Sequence, residues 1–379
     1  MPVQELSATV TVGNASFAPV ELTVRTNRYS EAAEVEASGP TGGDVLPDAP
    51  ASIEINGERV FTGTADTVRQ SGYGSVDVVA YDAIDRLHKT DIKADFQQAS
   101  WTDIAREAAE RSDVPFTARH VGGSGGSGGG GNDTDLVFDE IADDSIDNLQ
   151  QAKEDLQAAA SDSQTTSQQS TTSASVNGED AIALLTRAAT NANAIWFVDT
   201  GGTLQWITYP GQSAAQIPPS TTLHELQYVL DASAGKRAPP YQRVVVTGSS
   251  PSSQSTDGDK PGGQGASHML TREPVRAVAG SGEPTYHYAD RDIRTDQQAQ
   301  QAATKILGEF QSQQAGGWID IVGDPTIRPL DIVQLPDHLG GERYLVSGVT
   351  HELAPDIGYE TRIECGGLID DGPVQLTGR

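Results

Sequence analysis

The 379-residue sequence predicts a mainly β fold, two small antiparallel β-barrels with an α/β helix-and-hairpin portion inserted between them. Three observations predict it. Apolar and polar residues alternate with a period of two near both ends of the chain, as half-buried strands require. Helical spacing of apolar residues is confined to short blocks between and beside those ends. Three polar tracts, 122–131, 161–177 and 249–267, interrupt the pattern and carry no apolar periodicity.

The first barrel is expected over 1–97. Leu6, Ala8, Val10 and Val12 alternate with Ser7, Thr9 and Thr11, and Val20, Leu22 and Val24 with Glu21, Thr23 and Arg25. Ile53 and Ile55 lead into Asn56-Gly57, a hairpin signal because both residues tolerate positive φ. Strands over 60–68 and 76–81 complete a small antiparallel barrel or sandwich. The inserted portion is expected over 98–240. A helix over 101–111 places Ile104, Ala105 and Ala108 on one face, with Thr102 as its N-cap. The tract 122–131 is almost pure Gly and Ser, a flexible linker. Residues 147–160 read as helical and fade into Gln, Ser and Thr, expected to be disordered as far as Ser175. A helix over 180–191 follows, with Ile182, Leu184, Leu185 and Ala188 at core spacing, then a hairpin that turns at 200–203. Return strands occupy 241–285, around the polar loop 249–267. The second barrel belongs to 286–379. It begins with a helix over 296–310 and continues with strands over 318–322, 330–335, 344–350 and 359–365, with a turn at Gly340-Gly341.

Charge is the strongest compositional signal. Asp and Glu number 53 against 25 Lys and Arg, a formal net charge of -28. The acids are scattered, so they mark no single cation site. They fit a halophile surface, with an archaeal setting expected. Multi-molar salt shortens the Debye length to about 3 Å, which screens the self-repulsion. The one cysteine, Cys365, excludes an intrachain disulfide. The N-terminal residues carry no basic n-region and no apolar h-region, and no apolar run reaches the roughly 18 residues of a membrane span. Synthesis and folding in the cytoplasm are therefore expected.

Motifs for chemistry are matched only formally. Residues 122–126 fit G-x-S-x-G, but the nucleophile elbow needs a strand before it and a helix after it. His351-Glu352 lacks the second histidine of a zinc protease, and none of the seven histidines is spaced with another or with Cys365 as metal ligands are. Asp133 with Asp135, and Asp257 with Asp259, lack the closing Glu of a calcium loop. No basic patch with interleaved aromatics points to sequence-specific nucleic-acid binding. The sequence thus assigns no catalytic, cofactor or metal residue, and the chain is not expected to be an enzyme.

Three stretches taken in order resemble the late control gene D group, the baseplate or tail hub proteins of tailed viruses and contractile injection systems. The first is VFTG at 60–63 through VAYDAIDRL at 79–87 and WTDI at 101–104, with Gly63, Tyr81, Asp82, Leu87 and Trp101 in motif positions. The second is ALLTRAA at 183–189 with WFVDTGGTL at 196–204, containing Asp199 and Gly202. The third lies in 298–367 and contains Pro329, Asp331, Val333, Tyr344, His351 and Thr361. Leu330 departs from the pattern, since the family usually has Gly before this Asp, and the tight turn there is left open. The three polar tracts have no counterpart. The resemblance implies tail-tube-like barrels and a homotrimeric ring whose six barrels imitate a hexameric tail tube. It implies tail tube, baseplate and spike proteins as partners, a tape measure as a further one, and a virion tail as the location. Genome or effector would pass through the pore without specific binding. Other readings are a halophile surface or adhesion protein and a tail-associated cell-envelope hydrolase.

Overall fold

The computed structural model describes residues 6–27, 31–71, 74–120, 172–209, 220–236, 238–248, 275–312 and 315–368. The helix expected over 147–160 and the tracts 122–131 and 249–267 lie outside the described residues.

Alternation near the N-terminus builds seven strands. They are β1 (Ala8–Val12), β2 (Ala15–Phe17), β3 (Glu21–Asn27), β4 (Glu34–Pro40), β5 (Pro50–Ile55), β6 (Glu58–Gln70) and β7 (Ser75–Tyr81). All pair antiparallel in the order β3-β4-β7-β6-β5-β1-β2. Asn56 and Gly57 make the β5–β6 turn at φ 53° and 82°, as the sequence predicts. β6 turns a corner. Its residues 58–64 pair with β5 and its residues 64–70 with β7. Gly63 sits at that corner, where a Cβ would lie 2.1 Å from the Tyr81 carbonyl oxygen. Inward residues such as Val10, Val24, Ile53, Phe61 and Val78 share one core.

The middle of the chain gives α1 (Ala83–His88), β8 (Asp91–Ala99), α2 (Trp101–Arg111), β9 (Phe116–His120), β10 (Thr172–Asp180), α3 (Ala181–Ala192), β11 (Ala194–Val198) and β12 (Leu204–Thr208). Two expectations are corrected here. The α2 cap is Ser100, not Thr102. The Ser100 hydroxyl accepts from the Asp103 N–H and the Asp103 carboxylate accepts from the Ser100 N–H, a reciprocal capping box. A cap two residues earlier puts Trp101 inside the first turn, buried in one core with Ile104, Leu184 and Trp206. The end of the tract expected to be disordered to Ser175 is instead β10, paired antiparallel with β8. Ladder hydrogen bonds come from the backbone, so polar side chains do not prevent a strand that has a partner. The hairpin β11–β12 forms as expected, and β9 adds to β12 in parallel.

Then come β13 (Leu223–Glu225), β14 (Val229–Ala232), β15 (Gly235–Lys236), β16 (Arg243–Gly248), β17 (Arg276–Gly280), β18 (Thr285–Asp290) and α4 (Asp296–Ser312). The sheet β17-β16-β18 is covered by α4 through Val244, Val246, Ala299 and Ala303. Lys305 of α4 is buried and donates to the carbonyls of Ala189 and Ala194 at 2.7 and 2.6 Å. It thereby ties α4 to the C-terminal end of α3, where the Ala189 carbonyl also accepts from the Asn193 N–H, and to the first residue of β11.

The chain ends in β19 (Ala315–Gly316), β20 (Trp318–Val322), β21 (Ile332–Gln334), β22 (Arg343–Ala354) and β23 (Gly358–Leu368). Here the expectation of two barrels is overturned. Strand β3 pairs with β22, Leu22 opposite Leu353 through Asn27 opposite Gly348. One sheet of 13 strands therefore runs β14-β20-β23-β22-β3-β4-β7-β6-β5-β1-β2, with β21 beside β22 and β13 beside β21, and no closed barrel exists among the described residues. Each half alone would leave an edge of unpaired N–H and C=O groups. Pairing the two edges satisfies both, and alternation within a strand carries no information about which strand lies next to it.

Candidate functional site

The run β14-β20-β23-β22-β3-β4-β7 and the second half of β6 forms a wall of eight strands. Its inward side holds buried residues such as Ile319, Ile363, Val349, Val24, Val35 and Val78. The pleat sends the alternate residues outward. From β20 to β7 these include Asp320, Glu360, Glu364, Glu352, Glu21, Glu34, Glu36 and Asp77, against Arg25 and Arg362. Both arginines are already paired. Arg362 makes two bonds to Asp320 at 2.7 and 2.8 Å and stacks over Trp318 at 4.9 Å, and Arg25 reaches Glu34 at 3.2 Å. Glu352 faces Glu360 across β22–β23, and Thr23 lies between Glu352 and Glu36. Directly opposed like charges weaken a sheet unless water and salt screen them. The wall is therefore a solvated, anionic surface that repels other polyanions.

Behind the wall lies the joint of the two halves. His351 is buried between Val24 of β3 and Thr361 of β23. Its Nδ1 lies 3.1 Å from the Thr361 hydroxyl and 3.1 Å from the Tyr359 hydroxyl, and Thr361 accepts from the Asp324 N–H at 3.0 Å. Burial lowers the His351 pKa to about 4, so the imidazole is neutral near pH 7.

The three motif stretches meet at a cavity of about 260 Å³, whose lining includes Asp82, Asp199, Pro329 and Asp331. Each aspartate is engaged by backbone. Asp82 is buried at the N-cap of α1 and accepts from the Ile84 N–H at 3.0 Å, and burial raises its pKa to about 7. Asp199 accepts from the N–H groups of Gly201 and Thr203 at 2.9 and 3.0 Å, and from the Gln205 amide at 2.8 Å. Asp331 accepts from the N–H groups of Thr222 and Arg328 at 2.9 and 3.0 Å, with His224 Nε2 at 3.1 Å. Gly202 adopts φ 79° and would place a Cβ 3.5 Å from the Thr62 methyl. Leu330, at the glycine position of the motif, keeps the turn in left-handed backbone at φ 76°, with its N–H donated to the Val346 carbonyl. That turn shortens the strand expected over 330–335 to β21. The remaining motif residues lie apart from the cavity. Leu87 and Trp101 sit in the helical core, and Val333 is buried in β21. Tyr81 donates to Glu34 at 3.2 Å, and Tyr344 to Glu342.

Among the described residues no group of three or more His, Cys, Asp or Glu is placed to hold a metal ion, and no helix is long and apolar enough to cross a membrane. The outward acids are what motif reasoning passed over. Their signal was present, since Glu352, Glu360 and Glu364 each stand one residue from an inward His351, Thr361 or Ile363. Acids elsewhere in the chain hid it. Lys305, and Arg187 with its partner Glu179 at 2.9 Å, carried no sequence signal.

No family model and no curated sequence matches the chain. Solved structures do. A tail protein from Neisseria meningitidis MC58 matches with TM-score 0.63 at 12% identity, over 97% of both chains. The 43 kDa tail protein of prophage MuSo2 from Shewanella oneidensis matches with TM-score 0.58 at 13% identity, over 96% of this chain and 98% of that one. An E. coli component of the type VI secretion system, described as structurally similar to the T4 bacteriophage tail proteins gp27 and gp5, matches with TM-score 0.51 at 9% identity, over 97% and 78%. With nearly the whole chain superposed in each case, the long sheet and its helical modules are together the fold of a phage tail protein.

Proposed function

We propose that this chain is a structural hub subunit of a tail or tail-like injection device. Three copies form a ring around an open channel and join the tail tube to the baseplate and spike. The whole-chain likeness to tail proteins carries this reading. In the ring the anionic wall faces the channel. Its carboxylates repel phosphate, so a genome or an effector slides past without sticking. In brine that repulsion acts only at short range, so these acids matter more than the net charge of -28. Residues 1–97, 98–240, 241–285 and 286–379 act as the working modules, and the motif residues hold turns and joints without catalysing a reaction. The device works in the virion tail and is assembled in the host cytoplasm. The direct test is cryo-electron microscopy of tail tips together with a mass measurement in multi-molar KCl. Three copies around an axial channel are expected. A monomer within intact tails, or a dimer with no channel, overturns the proposal.

A further inference from the structure

We infer that the cavity where the three motif stretches meet is a socket for a carboxylate on a short apolar stem, the C-terminal residue of a partner peptide, held by Arg119 and Arg328. Such a socket needs one copy of the chain only, so it stands apart from the ring. The acceptors in its lining are already engaged within the chain. Asp82 accepts from the Ile84 N–H, and Asp199 from Gly201, Thr203 and Gln205. Asp331 accepts from the N–H groups of Thr222 and Arg328, with His224 beside it. These three carboxylates cap a helix and hold turns. The donors are in the opposite state. Arg119 lines the cavity from the end of β9, is exposed, and its side chain makes no ion pair among the described residues. Arg328 reaches Glu58 at 3.8 Å, with the two side chains 47% and 50% exposed, a pair that water weakens. The Thr62 hydroxyl is buried with no hydrogen-bond partner among the described residues, an uncommon state for such a group. A lining whose free polar groups are donors selects an acceptor. Two guanidinium groups select a carboxylate or a phosphate, whose oxygens match their planar forks.

The rest of the lining decides between the two anions. Phe61 of β6, Phe197 and Ile207 of the β11–β12 hairpin, and Leu330 give the cavity an apolar side. Phe197 and Ile207 belong to a small cluster of their own with Ile195 and Tyr209, separate from the helical core. A free inorganic ion gains nothing from apolar surface, whereas a stem laid against it removes that surface from water. The volume points the same way. About 260 Å³ falls just under the roughly 300–1,000 Å³ of small-molecule pockets, so the cavity admits one or two residues of a chain in place of a cofactor. A C-terminal residue carries both parts on one Cα, the carboxylate for the arginines and a side chain for the apolar side. The lining comes from β6, from the hairpin and from the turn at 328–331, which lie far apart in sequence. An occupant therefore also ties the N-terminal strands to the C-terminal half.

The test titrates the full chain by calorimetry, in the lowest KCl concentration at which it stays folded. Three probes are used: acetyl-Ala-Ala-Leu with a free C-terminal carboxylate, the same peptide as its amide, and sodium phosphate. The free acid should bind about tenfold more tightly than the amide, or better, as hydrogen bonds to charged groups allow. Arg119→Gln and Arg328→Gln should each weaken the acid by about tenfold and leave the amide unchanged. Arg119→Lys keeps the charge without the fork and should recover part of that loss. Both arginines are exposed, so all three variants should keep the wild-type melting temperature, which separates lost binding from lost folding. Phosphate bound as tightly as the peptide acid would mean an adventitious ion only and would overturn the socket. Equal binding of acid and amide, no binding of any probe, or an affinity indifferent to both arginines would overturn it as well.

Discussion

The two halves of the long sheet are stabilised in different ways. The N-terminal half folds over itself at the Gly63 corner and encloses nineteen buried residues among those described, whereas the C-terminal half encloses eleven. The first half makes its tightest turn with Asn56 and Gly57, which adopt positive φ at little cost. The second makes its own with Leu330 at φ 76°, where an L-residue with a side chain is strained by roughly 1–2 kcal/mol. It also buries a neutral histidine in the joint. The C-terminal half thus depends on its neighbour β3 for an edge partner, and sensitivity to mutation and acid should concentrate there, apart from the corner that gives the first half its shape.

That corner sets the largest expected effect. Gly63→Ala places a methyl against the backbone of Tyr81 and should destabilise by about 3 kcal/mol or more. Gly57→Ala has open space around it at φ 82° and should lose only about 1 kcal/mol. Equal losses in urea unfolding would remove the special role of the corner.

Titration separates the halves next. The His351 pKa falls from 6.5 unfolded to about 4 folded. Between those values the unfolded chain holds more protons, so stability present above pH 6.5 is lost as pH falls through 4, at most by roughly 3 kcal/mol. The Asp82 pKa rises from 3.8 to about 7, so its contribution is present below pH 3.8 and lost as pH rises through 7. The two slopes oppose each other in the wild type. His351→Gln should leave the Asp82 slope uncovered, with stability falling as pH rises from 4 to 7, and Asp82→Asn should leave the His351 slope, with stability rising as pH rises from 4 to 6.5. Melting curves across pH 4–8 read both, and identical pH profiles for the two variants would contradict the assignment.

Leu330 gives a smaller and more pointed contrast. Alanine keeps the strain and loses the buried side chain, while glycine loses the side chain and releases the strain. Leu330→Gly should therefore be about 1 kcal/mol more stable than Leu330→Ala, the reverse of the usual order. Chemical denaturation of the pair decides it.

The smallest effect concerns the wall. Glu36→Gln and Glu352→Gln should each add a few tenths of a kcal/mol in dilute buffer and nothing in multi-molar KCl, because salt already screens these charges. The wild-type melting temperature should rise with KCl, and a flat profile would count against salt adaptation.

Side-chain pattern alone locates most strands of both halves, though not β2, β4, β13 or β14, together with the Asn56-Gly57 hairpin, helices near 180–191 and 296–310, and the order of motifs that resembles tail hub proteins. These are local matters, set by side-chain period and by φ preference within a few residues. Only the tertiary structure decided that β3 joins β22 in place of two closed barrels, and that polar Thr172–Asp180 is a strand. It also decided that Asp82, Asp199 and Asp331 meet at one cavity and that scattered acids gather on one face. Strand edges recognise partners through backbone groups that every residue but proline shares, so side chains name the faces of a strand and leave its neighbour to be chosen by the assembled core.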